Sequence, residues 1–315
     1  MMPEKRQRTS AALPFISGSD IATLAQLPIY ALISSVAPEE KWQSLCFSVE
    51  RLKHMLSPSG TSQIGKKVEM LGFATGDDEI RVRSMRTEHH VQVLRERLGG
   101  WRPRIEIVGL EHLEAAKRGG HGAVLWIAHF SFNSLASKIA FSRAGFDVFH
   151  VSRPEHGFTK SRFGIRFLNP IRIGAEQNHA AGRIVIDRAN PAASMRTARR
   201  LLRANKFVSI TAGAWEGQLL VTAKFGCATT EISSGAPRLA RVANAPLLPV
   251  FVIRDETTKS IRVTVESPID VQHRGEKATM IRQATQEFAD RHLPFLEAHP
   301  HQWREWDRLT FRNPA

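Results

Sequence analysis

Cysteine is almost missing from this sequence. Cys46 and Cys227 are the only two in 315 residues, too few for a disulfide scaffold or a cysteine-rich zinc site, and both read as small buried hydrophobes. Tyrosine is rarer still, with Tyr30 alone. No recognition motif and no basic stretch interleaved with aromatics occurs, which argues against nucleic acid as a partner. Glycine-rich fingerprints are absent too: there is no GxGxxG, no GxxxxGK[ST] and no GxSxG. The pair His89-His90 lacks the spaced cysteines or carboxylates of a metal site, so neither a metal nor a tightly held cofactor is expected. His299 and His301, flanking Pro300, read as surface residues. Long apolar runs are also lacking. The longest stretch free of charge and histidine, Ile21 to Pro38, has 18 residues, at the lower limit for a bilayer span, and Gln26, Pro28, Ser34 and Ser35 interrupt it. As a signal peptide it fails, because its basic region lies too far upstream. It reads as an apolar helix that is buried or lies at a membrane interface. The expected location is cytoplasmic, peripheral on the inner face of the cell membrane.

What the chain does have is positive charge: 44 Lys+Arg against 30 Asp+Glu, a net +14. A basic surface of this size suits an anionic membrane face or an acidic partner protein. With 42% hydrophobic and 23% charged residues, disordered and fibrous classes are excluded.

Two regions differ in texture. Residues 1–100 read as helices separated by breaks at Ala37-Pro38, Ser57 to Gly60 and Gly76 to Asp78, the last helix stopping at Gly99-Gly100. Residues 101–315 alternate. Apolar runs at Ile105–Val108, Ala123–Ala128, Val148–Val151, Phe207–Thr211, Leu247–Ile253 and Ile261–Val265 are separated by helical stretches at Leu110–Lys117, Asn133–Ala144, Ala192–Ala204 and Gly235–Ala243. A long helix over Ala278–Leu296 follows. The alternation predicts an α/β fold with a mostly parallel central sheet flanked by helices, preceded by an N-terminal helical layer that faces a membrane.

Chemistry concentrates at strand ends. His129 follows the apolar strand Ala123–Ala128, at the strand-to-helix turn where open α/β sheets carry reactive groups and where the next helix's N–H groups favour an anion. Phe130, Phe132, Asn133 and Ser134 surround it in sequence. Arg153, after a second strand and before Pro154, is placed for a phosphate or carboxylate. Arg196, Arg199, Arg200 and Arg203 turn away from the apolar face formed by Met195, Ala198, Leu201 and Leu202. Glu216 lies between glycines in Gly213-Ala-Trp-Glu-Gly217.

Several of these pieces occur together in a known order. Ile107-Val-Gly-Leu-Glu-His-Leu113 leads to Gly122-Ala-Val-Leu-Trp-Ile-Ala-His-Phe130. Ser152-Arg153-Pro154, Ile186-Asp187-Arg188 and Lys224-Phe225-Gly226 follow. Thr229-Thr230, Ser233-Ser-Gly235, Leu239-Ala-Arg241, Ala245-Pro-Leu-Leu-Pro-Val250 and His299-Pro-His-Gln-Trp-Arg-Glu-Trp306 complete the series. Over residues 104 to 308 the set resembles the lysophospholipid acyltransferase superfamily, and within it the bacterial late (lauroyl/myristoyl) acyltransferases of lipid A biosynthesis. The resemblance implies an acyltransferase that moves a fatty acyl group from a thioester, on acyl carrier protein or coenzyme A, to a hydroxyl or amine of a lipid-like acceptor, with peripheral membrane contact. Its His-x4-Asp/Glu motif makes His129 the general base and places an acid five residues on. In this chain that position is Ser134, preceded by Asn133. Either side chain can accept the imidazole N–H but carries no charge, and Glu216 and Asp187 are the candidate replacements. The resemblance also puts Arg153 on the phosphate or thioester side, makes Arg188 part of a recurring Asp-Arg pair, and lines the groove with Phe130 and Phe132, expected as packing more than as acyl contacts. A second reading takes Ser134 at face value: a catalytically inactive homologue that binds acyl chains or carrier protein.

Overall fold

Four helices precede the first strand in the computed structural model, which describes residues 13–56, 63–73, 76–213, 220–272 and 276–311. They are α1 (Gly18–Val36), α2 (Glu39–Leu56), α3 (Gln63–Met70) and α4 (Asp78–Gly99). The buried Asp20 carboxylate opens α1 by accepting the Ser17 N–H at 2.6 Å and its hydroxyl at 2.8 Å, a reciprocal cap. Pro38 holds Ala37 extended, at φ −84° and ψ 139°, and so ends the helix. The expected break at Ser57 to Gly60 lies outside the described residues; the one at Gly76-Asp77 is present as two left-handed residues before α4.

From Ile105 the chain alternates as its apolar runs predict: β1 (Ile105–Val108), α5 (Leu110–Arg118), β2 (Ala123–Ile127), α6 (Asn133–Arg143), β3 (Val148–Ser152), α7 (Asn169–Gln177), β4 (Gly182–Val185), α8 (Pro191–Arg203) and β5 (Phe207–Thr211). Then come β6 (Leu220–Phe225), β7 (Ala228–Ser233), α9 (Gly235–Ala243), β8 (Leu247–Arg254), β9 (Ile261–Val265), α10 (Lys277–Ala298) and β10 (Thr310–Phe311). The main sheet runs β1-β9-β8-β2-β5-β3-β4 and is parallel except between β8 and β9. A small antiparallel sheet, β10-β7-β6, sits apart from it.

Every residue of β2 and β8 is buried, as central parallel strands covered on both faces require. Alternation along β2 splits the core in two. Val124, Trp126 and Ala128 belong to the apolar cluster that contains Phe251 and Phe288, with Trp126 stacked on Phe288 of α10 at 4.1 Å between centroids. Ala123, Leu125 and Ile127 join Leu135, Ile139 and the helical-layer residues Trp42 and Val91. Gly122 starts β2 at φ +55°, where a Cβ would sit 1.9 Å from the Lys206 carbonyl; only glycine lets β2 approach the start of β5 so closely.

Three features escape the sequence pattern. β4 is short and its burial mixed. A π-helical turn over Gly164–Leu168 leads into α7. His301, expected at the surface, is buried and bonded through Nε2 to Asp78 at 2.8 Å, because the segment after α10 turns inward against α4.

Candidate active site

Strands β2, β5, β3 and β4 are adjacent and parallel, so their carboxyl ends open on one side. A cavity of about 540 Å³ lies there, lined by His129 after β2, Thr211 at the end of β5, Ser152 and Arg153 at the end of β3, and Ile186 after β4. This is the edge at which open α/β sheets bind ligands. Asn133 and Ser134, at the start of α6, also line it.

His129 is held from the far end of the chain. After α10 the backbone runs beside the turn that follows β2: the Ser131 N–H donates to the Gln302 carbonyl at 2.7 Å and the Arg304 N–H to the His129 carbonyl at 3.1 Å. Phe130 and Trp303 form an antiparallel bridge between these bonds. Trp303 and Trp306 are buried, packed edge to face at 5.2 Å, and Trp303 stacks on Phe225 at 5.5 Å. The Trp306 indole N–H donates to the Pro300 carbonyl at 3.1 Å. Gln302 clips the same segment to β8, its amide donating to the Arg254 carbonyl at 2.7 Å while its oxygen accepts the Arg254 N–H at 3.0 Å. Between the two anchored tryptophans, Glu305 is buried and in contact with Nδ1 of His129. Its second oxygen faces Arg308 Nε at 2.8 Å.

The electrostatics of this pair favour a neutral imidazole beside an ionised carboxylate. Burial pushes the His129 pKa below its ordinary value, and the pull of Glu305 in the other direction does not restore it. Burial alone would raise Glu305, but His129, Arg308 and Arg304 outweigh it and hold the carboxyl below the usual range.

Ser134 belongs to a different network. Its hydroxyl accepts from Arg172 Nη2 at 3.0 Å and pairs with His89 Nε2 at 3.1 Å. Arg172 also donates to Glu176 at 2.9 Å, and Glu176 takes Lys138 at 3.0 Å and His156 at 2.8 Å. Despite burial, these cations hold Glu176 well below the ordinary glutamate value. Burial, reinforced by Arg172, keeps His89 neutral.

The other expected residues divide. Asn133 lines the cavity and donates to the Ala128 carbonyl at 3.2 Å, which fixes the turn that carries His129. Arg153 also lines the cavity. Phe130 and Phe132 do not: both are fully buried, Phe130 against His292 and Phe132 beneath the Arg254 guanidinium. They are packing residues, because the turn aims its aromatics into the two cores. Arg188 is exposed and reaches the site indirectly, through a 2.8 Å bond to Glu155 in the cavity wall. Asp187 is exposed and accepts the Ala189 N–H of its own turn, so it does not replace the missing acid. Glu216 lies outside the described residues. Among the described residues no cluster of three His, Cys, Asp or Glu could hold a metal ion. Glu305 is the residue that sequence reasoning missed. The segment His299 to Trp306 is visible in the sequence as an acid bracketed by tryptophans, but no spacing ties it to a histidine 176 positions away.

A family model described as bacterial lipid A biosynthesis acyltransferase matches residues 99–306. The chain belongs to that family. Acyl transfer to a lipid-like acceptor is the activity that goes with membership, and the lipid A acyltransferase match spans the cavity, the His129 turn and the Glu305 segment together. No curated protein matches the chain. Among solved structures, the 1-acyl-sn-glycerophosphate (LPA) acyltransferase PlsC from Thermotoga maritima is similar over 89% of this chain and 98% of that one. Its identity is 10% and its TM-score 0.40, too distant to bear on the site of this lipid A family acyltransferase.

Proposed function

We propose that this acyltransferase takes a fatty acyl group from a thioester, on acyl carrier protein or coenzyme A, and delivers it to a hydroxyl or amine of a lipid-like acceptor. His129 is the general base, and Glu305 does the work of the acid missing at Ser134. The observation that carries the reading is the contact between Nδ1 of His129, which lines the cavity, and the buried Glu305 carboxylate behind it. With Nδ1–H donating to Glu305, Nε2 takes the proton of the acceptor as its oxygen or nitrogen attacks the thioester carbonyl. When the tetrahedral intermediate collapses, the C–S bond breaks and the imidazolium returns the proton to the leaving thiolate. Arg153, at the end of β3, is the cation on the thioester or phosphate side. The inactive alternative rested on an imidazole with no anion beside it, and Glu305 supplies one.

The donor side is basic. The first turns of α8 contribute Pro191, Ser194 and Met195 to the cavity wall, and Arg196, Arg200 and Arg203 project from the exposed face of the same helix. This supports docking of an acidic carrier beside the cavity. Opposite in character, α1 exposes Ile21, Leu24, Ile29, Leu32 and Val36 at helical spacing. No described helix is long and apolar enough to cross a membrane, so the stripe supports a peripheral contact in which α1 lies along a lipid surface. Sedimentation with anionic vesicles tests this. The wild type should bind, and a Leu24→Glu/Leu32→Glu variant should stay in the supernatant; equal binding by both would remove the proposal.

The test of the chemistry is transfer and hydrolysis of a radiolabelled acyl thioester by purified protein, with both donor types and a mixture of lipid acceptors. His129→Ala should lose on the order of 10²–10⁴ in rate, the usual contribution of a general base. Turnover by His129→Ala at the wild-type rate would reject the mechanism. A wild type that binds the thioester without turnover would restore the inactive reading.

A further inference from the structure

Cations outnumber anions around the cavity, and among its arginines Arg304 is left over. Arg304 lines the cavity together with His129, Ser134 and Arg172. Its backbone N–H is bonded to the His129 carbonyl, so its guanidinium is tethered within a few bonds of the catalytic turn. Arg172 is occupied by Glu176, Ser134 and the Gly157 carbonyl. Arg86, on α4, donates to the Arg304 carbonyl at 3.1 Å and adds positive charge. The two nearby carboxylates are both spoken for, Glu305 by His129 and Arg308 and Glu176 by Lys138, His156 and Arg172. Among the described residues the Arg304 guanidinium makes no hydrogen bond and no ion pair. The exchange at Ser134 deepens the imbalance, since a hydroxyl stands where the family pattern carries a negative charge.

We infer that Arg304 receives an anionic substituent, a carboxylate or a phosphate, that the acceptor carries close to its nucleophilic group. The inference rests on the acyl-transfer reading above and gives the acceptor its chemical class. A guanidinium presents a planar fork of donors that fits either oxyanion in a bidentate manner, and Arg172 adds its positive charge beside it. Burial, with repulsion from Arg86 and Arg172, brings the Arg304 pKa down to about 9; it remains a cation at neutral pH, at a cost that a bound anion would remove. An anion held here would also orient the acceptor, leaving its hydroxyl or amine to approach His129.

The experiment is calorimetric titration with inorganic phosphate and, separately, acetate, at constant ionic strength against chloride. Wild type, Arg304→Gln, Arg304→Met, His129→Ala and the surface control Arg118→Gln, at a largely exposed arginine outside the cavity, are compared, each also melted without ligand. The wild type should bind at least one of the two anions. Its Kd should rise at least tenfold in both Arg304 variants and stay within twofold in Arg118→Gln. Phosphate alone would identify a phosphorylated acceptor, and acetate alone a carboxylated one. Relief of an unpaired cation should also raise the melting temperature of Arg304→Met without ligand, whereas an arginine with a purely structural role would lower it. Wild-type affinity retained in both Arg304 variants, or no binding above chloride in the wild type, would overturn the inference. Anion binding is expected to survive in His129→Ala. Undiminished thioester turnover in that variant, with binding still lost in Arg304→Gln, would reject the mechanism and leave the anion site standing.

Discussion

Two polar clusters flank the turn after β2, and they are built on opposite plans. On one side His129 meets a single carboxylate, Glu305, brought from the end of the chain and fixed between two buried tryptophans. On the other side Ser134 enters a web that links Arg172, Glu176, Lys138, His156 and His89. The first leaves a neutral imidazole in a cavity wall with an anion behind it. The second resembles a structural network, in which the one carboxylate, Glu176, gathers Arg172, Lys138 and His156. On the proposed mechanism Ser134, where the resemblance places an acid, belongs to the scaffold, and Glu305 takes the acid's part from a different segment. Geometry identifies such a constellation where sequence spacing cannot.

The largest expected effect breaks that comparison directly. Glu305→Gln keeps the shape of the side chain and removes its charge. The turnover number should fall by about 10³–10⁴, in line with the handling of the corresponding acid in a serine-protease triad, while the melting temperature changes little. Single-turnover transfer from the labelled thioester measures it. A loss below tenfold would mean that the imidazole works without Glu305, and the two clusters would then be equally structural.

The α/β alternation was legible because each strand and helix carries its own period. The fully apolar Ala123–Ile127 and Leu247–Ile253 announce central strands, and Asn190-Pro191 announces the start of α8, where the Asn190 side chain does cap the helix. The place of His129 at the carboxyl edge of the sheet was legible for the same local reason, since it directly follows an apolar strand. What escaped were consequences of pairing over long distances. Glu305 reaches His129 only because Gln302, Trp303 and Arg304 lie along residues 129–131, and nothing in the local pattern specifies that register. His301 was misplaced for the same reason. Phe130 and Phe132 sit next to His129 in sequence, yet the backbone turns both side chains into the cores.

A smaller, sharper distinction lies in the pH dependence. His129 must be neutral to accept a proton, and its pKa lies below the ordinary histidine value. The acid limb of kcat/KM should accordingly fall below pH 6.5, with activity rising through that limb and flat towards neutrality. In Glu305→Gln the carboxylate that favours the imidazolium is gone, so the limb of the residual activity should move further down. Stability should follow a related course. His90, partly buried, and His292, buried, have pKa values brought down to about 3, first by desolvation. The unfolded chain therefore binds more protons than the folded one below pH 6.5, and folding free energy should decline as pH drops through that window. A limb in wild type above pH 7 would show that Glu305 dominates burial, and that the resting base is an imidazolium.

The smallest effect separates the clusters most cleanly. Ser134→Ala removes one acceptor for Arg172 and one partner for His89, which should cost about 1–3 kcal/mol of stability, the usual penalty for a buried group left unpaired. Transfer by the folded fraction should stay within about fivefold of wild type, because His129 keeps Glu305. Chemical denaturation and initial-rate transfer on the same preparation give both numbers. If transfer instead falls as far as in Glu305→Gln, Ser134 is coupled to the base after all. The cavity floor would then be one connected network, with Arg172 relaying the loss to His129.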